Sequence, residues 1–286
     1  MKEGINLADM LRHLSQELAA AKIDQAEAEA RRMLLAATNL SRSDFIIKPD
    51  RALTAAECHK LDQWLARRSG GEPLTRIIGQ RDFWTLNLRV APDVLDPRAD
   101  TETIVEIALE ILGDARNAPL RILDLGTGSG ALLLALLAEC KNATGLGIDL
   151  SPTACALAQD NAARNDLAAR VTVQQGRWAD GLSEKFDLIV SNPPYIETAT
   201  IANLEPEVRE HDPVLALDGG ADGLAAYREI MCDLPRILAP NGLVILELGI
   251  GQAAAVARLA HANDLKIVGL KSDLGGVERA LALRWA

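Results

Sequence analysis

The sequence predicts an α/β fold: a mostly parallel seven-stranded sheet covered by helices on both faces, finished by a C-terminal antiparallel hairpin and preceded by a small N-terminal helical domain. Three observations carry this. From residue 120 onward, strand-length apolar runs alternate with helix-length ones; the last two runs, "LKIVGLKS" and "ERALALRW", have only "DLGG" between them; and the first 70 residues show helical periodicity alone. Strands alternating with helices bury a parallel sheet from both sides, whereas strands joined by a tight turn pair antiparallel.

The elements follow in order. "NLADMLRHLSQELAAA" sets Leu7, Met10, Leu14 and Leu18 on one helical stripe, with Leu11 beside Met10. "DQAEAEARRMLLAAT" and "TAAECHKLDQWLARR" read as further helices, and Asp24 with Glu27 and Thr54 with Glu57 have capping-box spacing at their starts. "SGGEP" breaks the pattern at 69–73. Beyond it Phe83, Thr85 and Asn87 alternate with Trp84, Leu86 and Leu88, which marks a short β-hairpin or an extended connector. A helix over "DTETIVEIALEILGDA" starts near Asp100, and the strand and helix alternation then runs from "RILDL" through "TGLGIDL", "RVTVQQG", "FDLIVSN" and "GLVILEL" to the closing hairpin. The expected organisation is a helical domain over 1–72, a β-hairpin connector over 73–99 and the sheet domain over 100–286.

A chain of 286 residues, 49% of them hydrophobic, buries a large core. The four cysteines, Cys58, Cys140, Cys155 and Cys232, form no C-x-x-C pair, and the four histidines are not at ligand spacing, so a reducing compartment and no metal are expected. No run approaches the roughly 18 apolar residues of a membrane span, and "MKEGINLADMLRHL" lacks the character of a signal or transit peptide, so a cytoplasmic location without membrane contact is expected. The net charge is −10; residues 1–75 hold 11 basic and 11 acidic side chains, so the acidic excess lies in the remainder. Nucleic-acid binders gather Lys and Arg to displace phosphate counterions, and this balance speaks against direct nucleic-acid binding.

Chemistry is expected where the strands end, because ligands of open parallel sheets sit beyond the carboxyl ends at the switch point. The first sheet strand ends in "LDLGTGSGA", where Gly126, Thr127, Gly128, Ser129 and Gly130 lead into a helix. Glycines there let backbone approach a ligand, and the helix start offers free N–H groups. A plain βα turn is the bland alternative. The next strand ends at Asp149, at the distance from the loop where an acid meets ribose hydroxyls; helix capping is its alternative, but Ser151 and Pro152 already supply cap and first turn. The loop is G-x-G-x-G rather than the dinucleotide pattern G-x-G-x-x-G. "DLGTGSG" resembles the first motif of the class I S-adenosylmethionine-dependent methyltransferases, whose Rossmann-like fold also closes on an antiparallel seventh strand. The resemblance implies S-adenosylmethionine as cofactor and S-adenosylhomocysteine as product.

The fourth sheet strand runs into "SNPPYIE". A planar amide or exocyclic amine has a delocalised lone pair, and acceptors aimed at both of its N–H groups free that pair for alkylation. Asn192 offers a side-chain acceptor, Pro193 and Pro194 fix φ and cannot donate, so a neighbouring carbonyl points outward, and Tyr195 offers a π face for a planar substrate group. Positioning of this kind is worth roughly 7 to 11 kcal/mol. A proline-rich turn is the alternative.

"NPPY" is shared by methyltransferases of adenine amines and of glutamine amides. The helical N-terminal unit, "GEPLTRIIGQRDFWTLNLRVAPDVLDPRADTE" and "NLEPEVREHDPVLALDGGADGLAAYREI" resemble the release factor glutamine methyltransferases over nearly the whole chain. That resemblance implies methylation of the side-chain amide nitrogen of the glutamine in the Gly-Gly-Gln motif of peptide chain release factors, with the helical domain helping to dock that protein and the enzyme a monomer. It places Gly126 to Gly130 at the methionine end of the cofactor, Asp149 on the ribose, Trp178 against the adenine, and Asn192, Pro193, Pro194 and Tyr195 around the glutamine, Asn192 facing the cofactor as well. Asn192, Pro193 and Tyr195 are the expected catalytic group; for Trp178 a core or surface aromatic is the alternative. The family usually reads P-R-P-D-T-E, whereas here Asp96 precedes the proline and Ala99 replaces the second one, which leaves Asp100, Thr101 and Glu102 between pocket lining and helix capping. Glu205, Glu207 and Arg209 read as a solvated loop that meets the partner. The alternatives are a ribosomal-protein glutamine methyltransferase, an adenine-N6 methyltransferase, and a module that only senses the cofactor; the adenine enzyme wants base flipping and a basic groove.

Overall fold

The structure, a computed structural model, describes residues 4–286, so the first three positions of the segment read for targeting lie outside the described residues. The chain forms two compact units that meet in sequence at Gly79 and Gln80. In the first, α1 (Leu7–Ala20), α2 (Ala26–Thr38), α3 (Arg42–Ile47), α4 (Ala55–Ser69) and α5 (Leu74–Ile78) enclose one apolar core. The expected stripe of α1 is fully buried at Leu7, Met10, Leu14 and Leu18. Thr54 and Glu57 close a reciprocal capping box on α4, their backbone N–H groups bonding each other's side chains at 2.8 and 3.2 Å. Asp24 and Glu27 do not. The chain turns through left-handed backbone at Lys22 and Gln25, so α2 starts one residue too late for Asp24 to cap it, and Glu27 pairs with Arg31 instead.

The second unit opens with the hairpin β1 (Gln80–Phe83) and β2 (Leu86–Arg89), then α6 (Glu102–Leu112). Its sheet takes β3 (Arg121–Leu125), β4 (Thr144–Asp149), β5 (Val171–Gln175), β6 (Phe186–Ser191), β7 (Leu238–Glu247), β8 (Leu265–Ser272) and β9 (Glu278–Trp285) in the order β5-β4-β3-β6-β7-β9-β8. Pairing is parallel from β5 to β7, while β9 is antiparallel to both neighbours and slots between β7 and β8. This is the mostly parallel sheet with its antiparallel end. The helices between strands are α7 (Ala131–Glu139), α8 (Pro152–Arg164), the short α9 (Pro206–His211) and α10 (Val214–Leu217), α11 (Ala225–Ile237) and α12 (Ala253–His261).

Period-two alternation sorts the strand residues to two cores. Ile122, Leu188, Val190 and Ile245 pack toward α6 and α7 on one face, where Phe83, Leu86 and Leu88 of the hairpin join them; Leu123, Leu125, Ile189 and Leu246 meet α11 and α12 on the other. The strand order reverses between β3 and β6, and there the carboxyl ends leave a crevice. Among the described residues, no helix is long and apolar enough to cross a membrane, and no cluster of three metal-ligating side chains occurs.

Candidate active site

A cavity of about 410 Å³ opens over the ends of β3, β4 and β6. Its floor is the glycine loop. Gly126, Gly128 and Gly130 all have positive φ (73°, 55° and 84°), the region that side chains disfavour, and a Cβ on Gly130 would come within 3.2 Å of both Ala158 and Leu134. The turn is held from below, since the Gly126 and Thr127 N–H groups both donate to the Ile148 carbonyl at 2.9 Å. Thr127 and Ser129 are buried and line the cavity with the glycines Gly126 and Gly128, while Gly130 forms the first cap of α7 behind them.

Asp149 faces the loop across the crevice. One carboxylate oxygen accepts from the Gly128 N–H and the other from the Ser151 N–H, both at 2.8 Å, and each keeps a lone pair for a ligand hydroxyl. Ser151 caps α8 through the Ala154 N–H with Pro152 behind it, so capping does not need Asp149. Trp178 closes the side: its ring comes within 3.6 Å of where a Gly126 Cβ would stand, and its indole N–H donates to Glu229 at 2.6 Å. Arg177 grips the same carboxylate, and that hydrogen-bonded guanidinium holds Glu229 below the usual carboxylate range.

The cavity gathers Asn192 and Pro194 from the loop after β6 but not Pro193 or Tyr195. Pro193 is buried, and the Tyr195 side chain turns away to pack over Gly249, with its hydroxyl donating to Glu247 Oε1 at 3.4 Å. Burial raises the Tyr195 phenol well above its ordinary value, so it stays a neutral donor. Asn192 Nδ2 donates to Thr101 Oγ1 at 3.2 Å, which leaves the amide oxygen as the atom free to accept. The loop is clamped from behind by Gln252, whose amide donates to the Tyr195 carbonyl at 3.0 Å, and by Gly219 and Gly223, where any Cβ would strike Tyr195 backbone within 2.8 Å.

Asp100 does not cap α6. A 3-10 turn over Ala99–Thr101 leads into that helix, and Asp100 pairs with Arg279 of β9 at 3.3 Å while Thr101 lines the cavity. Glu102 accepts from the Trp84 N–H, joining α6 to the hairpin turn. The unusual Asp96 lies 3.6 Å from Arg81 of β1, and Arg98 pairs with Asp212, so the segment from Asp93 to Pro97 is fastened over the glycine loop, with Val94 facing Gly128. Glu205, Glu207 and Arg209 are exposed on and beside α9.

Reasoning from the sequence missed Asp124, Asn161 and Glu229. Asp124 is the acid inside "RILDL": it lines the cavity, is 1% exposed, takes the Thr127 hydroxyl on Oδ2 at 2.7 Å and leaves Oδ1 without a partner. Burial pushes its carboxyl up to about 7 against the pull of Thr127 and the Leu133 N–H, and the nearby Asp149 pushes the same way. A cationic ligand group beside Oδ1 would satisfy it. Asn161, fully buried in α8, donates to the Ser129 carbonyl at 2.9 Å and accepts the Arg89 N–H at 2.7 Å, tying loop to hairpin. An acid in an apolar strand and an Asn on the buried face of an alanine-rich helix were the available signals. The site therefore offers an acid for a cation, an acid for hydroxyls, an aromatic wall and an amide acceptor, which suits a sulfonium nucleoside and an NH2 substrate.

Residues 9–79 match the family described as PrmC N-terminal domain, and residues 117–248 match the family described as Methyltransferase domain. A release factor glutamine methyltransferase of Agrobacterium fabrum is 43% identical over 271 residues, 94% of either chain. One of Bradyrhizobium diazoefficiens is 45% identical over 284 residues, 98% of this chain and 95% of its own. Among solved structures, the ribosomal protein L11 methylase of Lactobacillus delbrueckii subsp. bulgaricus superposes with a TM-score of 0.51 at 22% identity, covering 70% of this chain and 86% of its own, a likeness of fold.

Proposed function

The chain belongs to the family of release factor glutamine methyltransferases, and on that premise we propose how its cavity methylates a release factor. It is an S-adenosylmethionine-dependent methyltransferase that modifies a release-factor glutamine. The acceptor atom in this reading is the side-chain nitrogen of the glutamine in the Gly-Gly-Gln motif, and the product of the cofactor is S-adenosylhomocysteine.

The unpartnered Asp124 Oδ1 on the cavity floor supports binding of the cofactor's cationic methionine end there, with Asp149 on the ribose hydroxyls and Trp178 against the adenine. Bound in that way, S-adenosylmethionine supplies a methyl group on a sulfonium, a leaving group that needs no activation by the protein. The protein's task is then to present the nucleophile. Asn192 Oδ1 takes one N–H of the glutamine amide, and a main-chain carbonyl beside the prolines takes the other. With both N–H groups engaged, the nitrogen pair is turned out of conjugation toward the methyl group. The methylated nitrogen is a strong acid and releases its extra proton to water, so no side chain must act as base.

The single observation that carries this reading is the orientation of Asn192, whose Nδ2 is taken by Thr101. The acidic excess beyond residue 75 supports a protein acceptor over nucleic acid, and the reading keeps the enzyme a cytoplasmic monomer. The exposed Ile46 and Ile47 of α3 support a docking role for the first unit. Mass mapping of a release factor after incubation with enzyme and cofactor tests the activity: one added methyl group on the Gly-Gly-Gln glutamine is expected. A factor carrying alanine there that is methylated equally well would contradict it.

A further inference from the structure

We propose that Thr101 and Glu247 are positioning residues for methyl transfer: Thr101, hydrogen-bonded to Asn192, hands its own proton to the open oxygen of the buried Glu247 carboxylate and so fixes which end of the Asn192 amide faces the glutamine. The inference rests on the reading of Asn192 as the acceptor for that substrate.

An asparagine amide can present either its oxygen or its NH2, and only the oxygen suits an incoming NH2 group. The choice is made by the neighbour. Thr101 Oγ1 accepts from Asn192 Nδ2 at 3.2 Å, so its own proton must go elsewhere, and at 4% exposure it needs a buried acceptor. Glu247, the last residue of β7, meets that need. It is 1% exposed, its Oε1 takes the Tyr195 hydroxyl, its Oε2 is buried with no hydrogen-bond partner and is open to the Thr101 proton, and Thr101 favours its ionised form. All donors in this chain then point one way, from Asn192 toward the carboxylate. Protonating Glu247 reverses it: the acid donates to Thr101, Thr101 donates to Asn192 Oδ1, and the Asn192 NH2 turns to face the substrate NH2.

The groups around Glu247 decide when this happens. Thr101 and Asp100 face it from the turn before α6, Tyr195 from the loop after β6 and Arg279 from β9, while Tyr227 of α11 bonds its backbone carbonyl at 2.8 Å. Burial is the largest influence and Asp100 adds to it; Thr101, Arg279 and Tyr195 oppose it, and the carboxyl ends up near 7. Arg279 is shared with Asp100 and Asp273, at 3.3 and 2.9 Å, which spends part of its charge elsewhere.

The test measures kcat at saturating cofactor and release factor from roughly pH 6 to 9, with cofactor Kd and thermal unfolding, for the natural enzyme and for T101V, T101S, E247Q and N192A. The natural enzyme should gain activity as pH rises through about 7. T101V should lose about tenfold or more in kcat with cofactor Kd little changed, T101S should restore most of it, and E247Q should be slow without the rise near neutrality. A natural enzyme with flat kcat across this range overturns the proposal and needs no variant to fold. So does T101V at full kcat beside an inactive N192A, or a rise that persists in E247Q. Full activity of N192A would overturn the underlying reading of Asn192, and this proposal with it.

Discussion

In the proposed reading Asp124 takes the charge of the cofactor and Asp149 its pair of hydroxyls, and their environments make them separable by mutation. Asp124 has one oxygen on Thr127 and one on nothing, so D124N removes a charge that a cationic ligand alone would use. We expect D124N to raise the cofactor Kd by about tenfold or more, as measured by calorimetry, with kcat at saturation largely kept. Ligand binding near pH 7 should also release a proton from the natural enzyme, because the carboxyl is held near 7 without the ligand and a cation beside it favours the ionised form. D149A should weaken cofactor binding as well, and an unchanged Kd would contradict its ribose role. The residues legible from sequence were those whose meaning is local: glycines in a turn, an acid at a strand end, an Asn before two prolines. Glu229 and Asn161 were not, and nor was the bond from Asn192 to Thr101, because the partners stand 51, 72 and 91 positions apart and only tertiary packing brings them near.

At the level of elements, the loop after β6 depends on glycines distant in sequence that pack against its backbone. A Cβ at Gly223 would meet the Tyr195 carbonyl at 2.4 Å in backbone of φ 69°, so G223A should displace the loop, cut kcat and leave cofactor Kd nearly intact. Stability should drop by about 1 kcal/mol or more, read from denaturant midpoints. On α3, the double substitution I46S/I47S removes two side chains that are 73% and 72% exposed. It should raise KM for an intact release factor and spare activity on a short Gly-Gly-Gln peptide; equal effects on both would refute docking through α3. The long elements could be read from periodicity, and the parallel pairing followed from the rule that helices separate parallel strands. α3 and α5, six and five residues long, span too few turns to show a period, and the turn at Gln25 has no signature because its left-handed backbone falls on a residue other than Gly or Asn.

Over the whole molecule, two buried acids set the pH dependence of stability. Asp124 and Glu247 are raised from 3.8 and 4.5 to about 7, so the native state keeps protons that the unfolded chain loses. Their stabilising contribution is complete below about pH 4 and is lost as pH rises through about 7. The lowered carboxylates, Asp218, Asp222 and Asp273 among them, act at the acid end, outside that window. Ligand-free protein should therefore melt at lower temperature at pH 8 than at pH 6, and D124N/E247Q should flatten the trend; a Tm that climbs with pH there would contradict both assignments. Methyl transfer depends above all on the grip on the glutamine amide, which a single-turnover assay measures. With enzyme saturated by cofactor and the methyl group followed onto the Gly-Gly-Gln peptide, N192A should bind cofactor normally and transfer at least about a hundredfold more slowly. Transfer at the natural rate, or cofactor affinity lost in step with rate, would contradict the account.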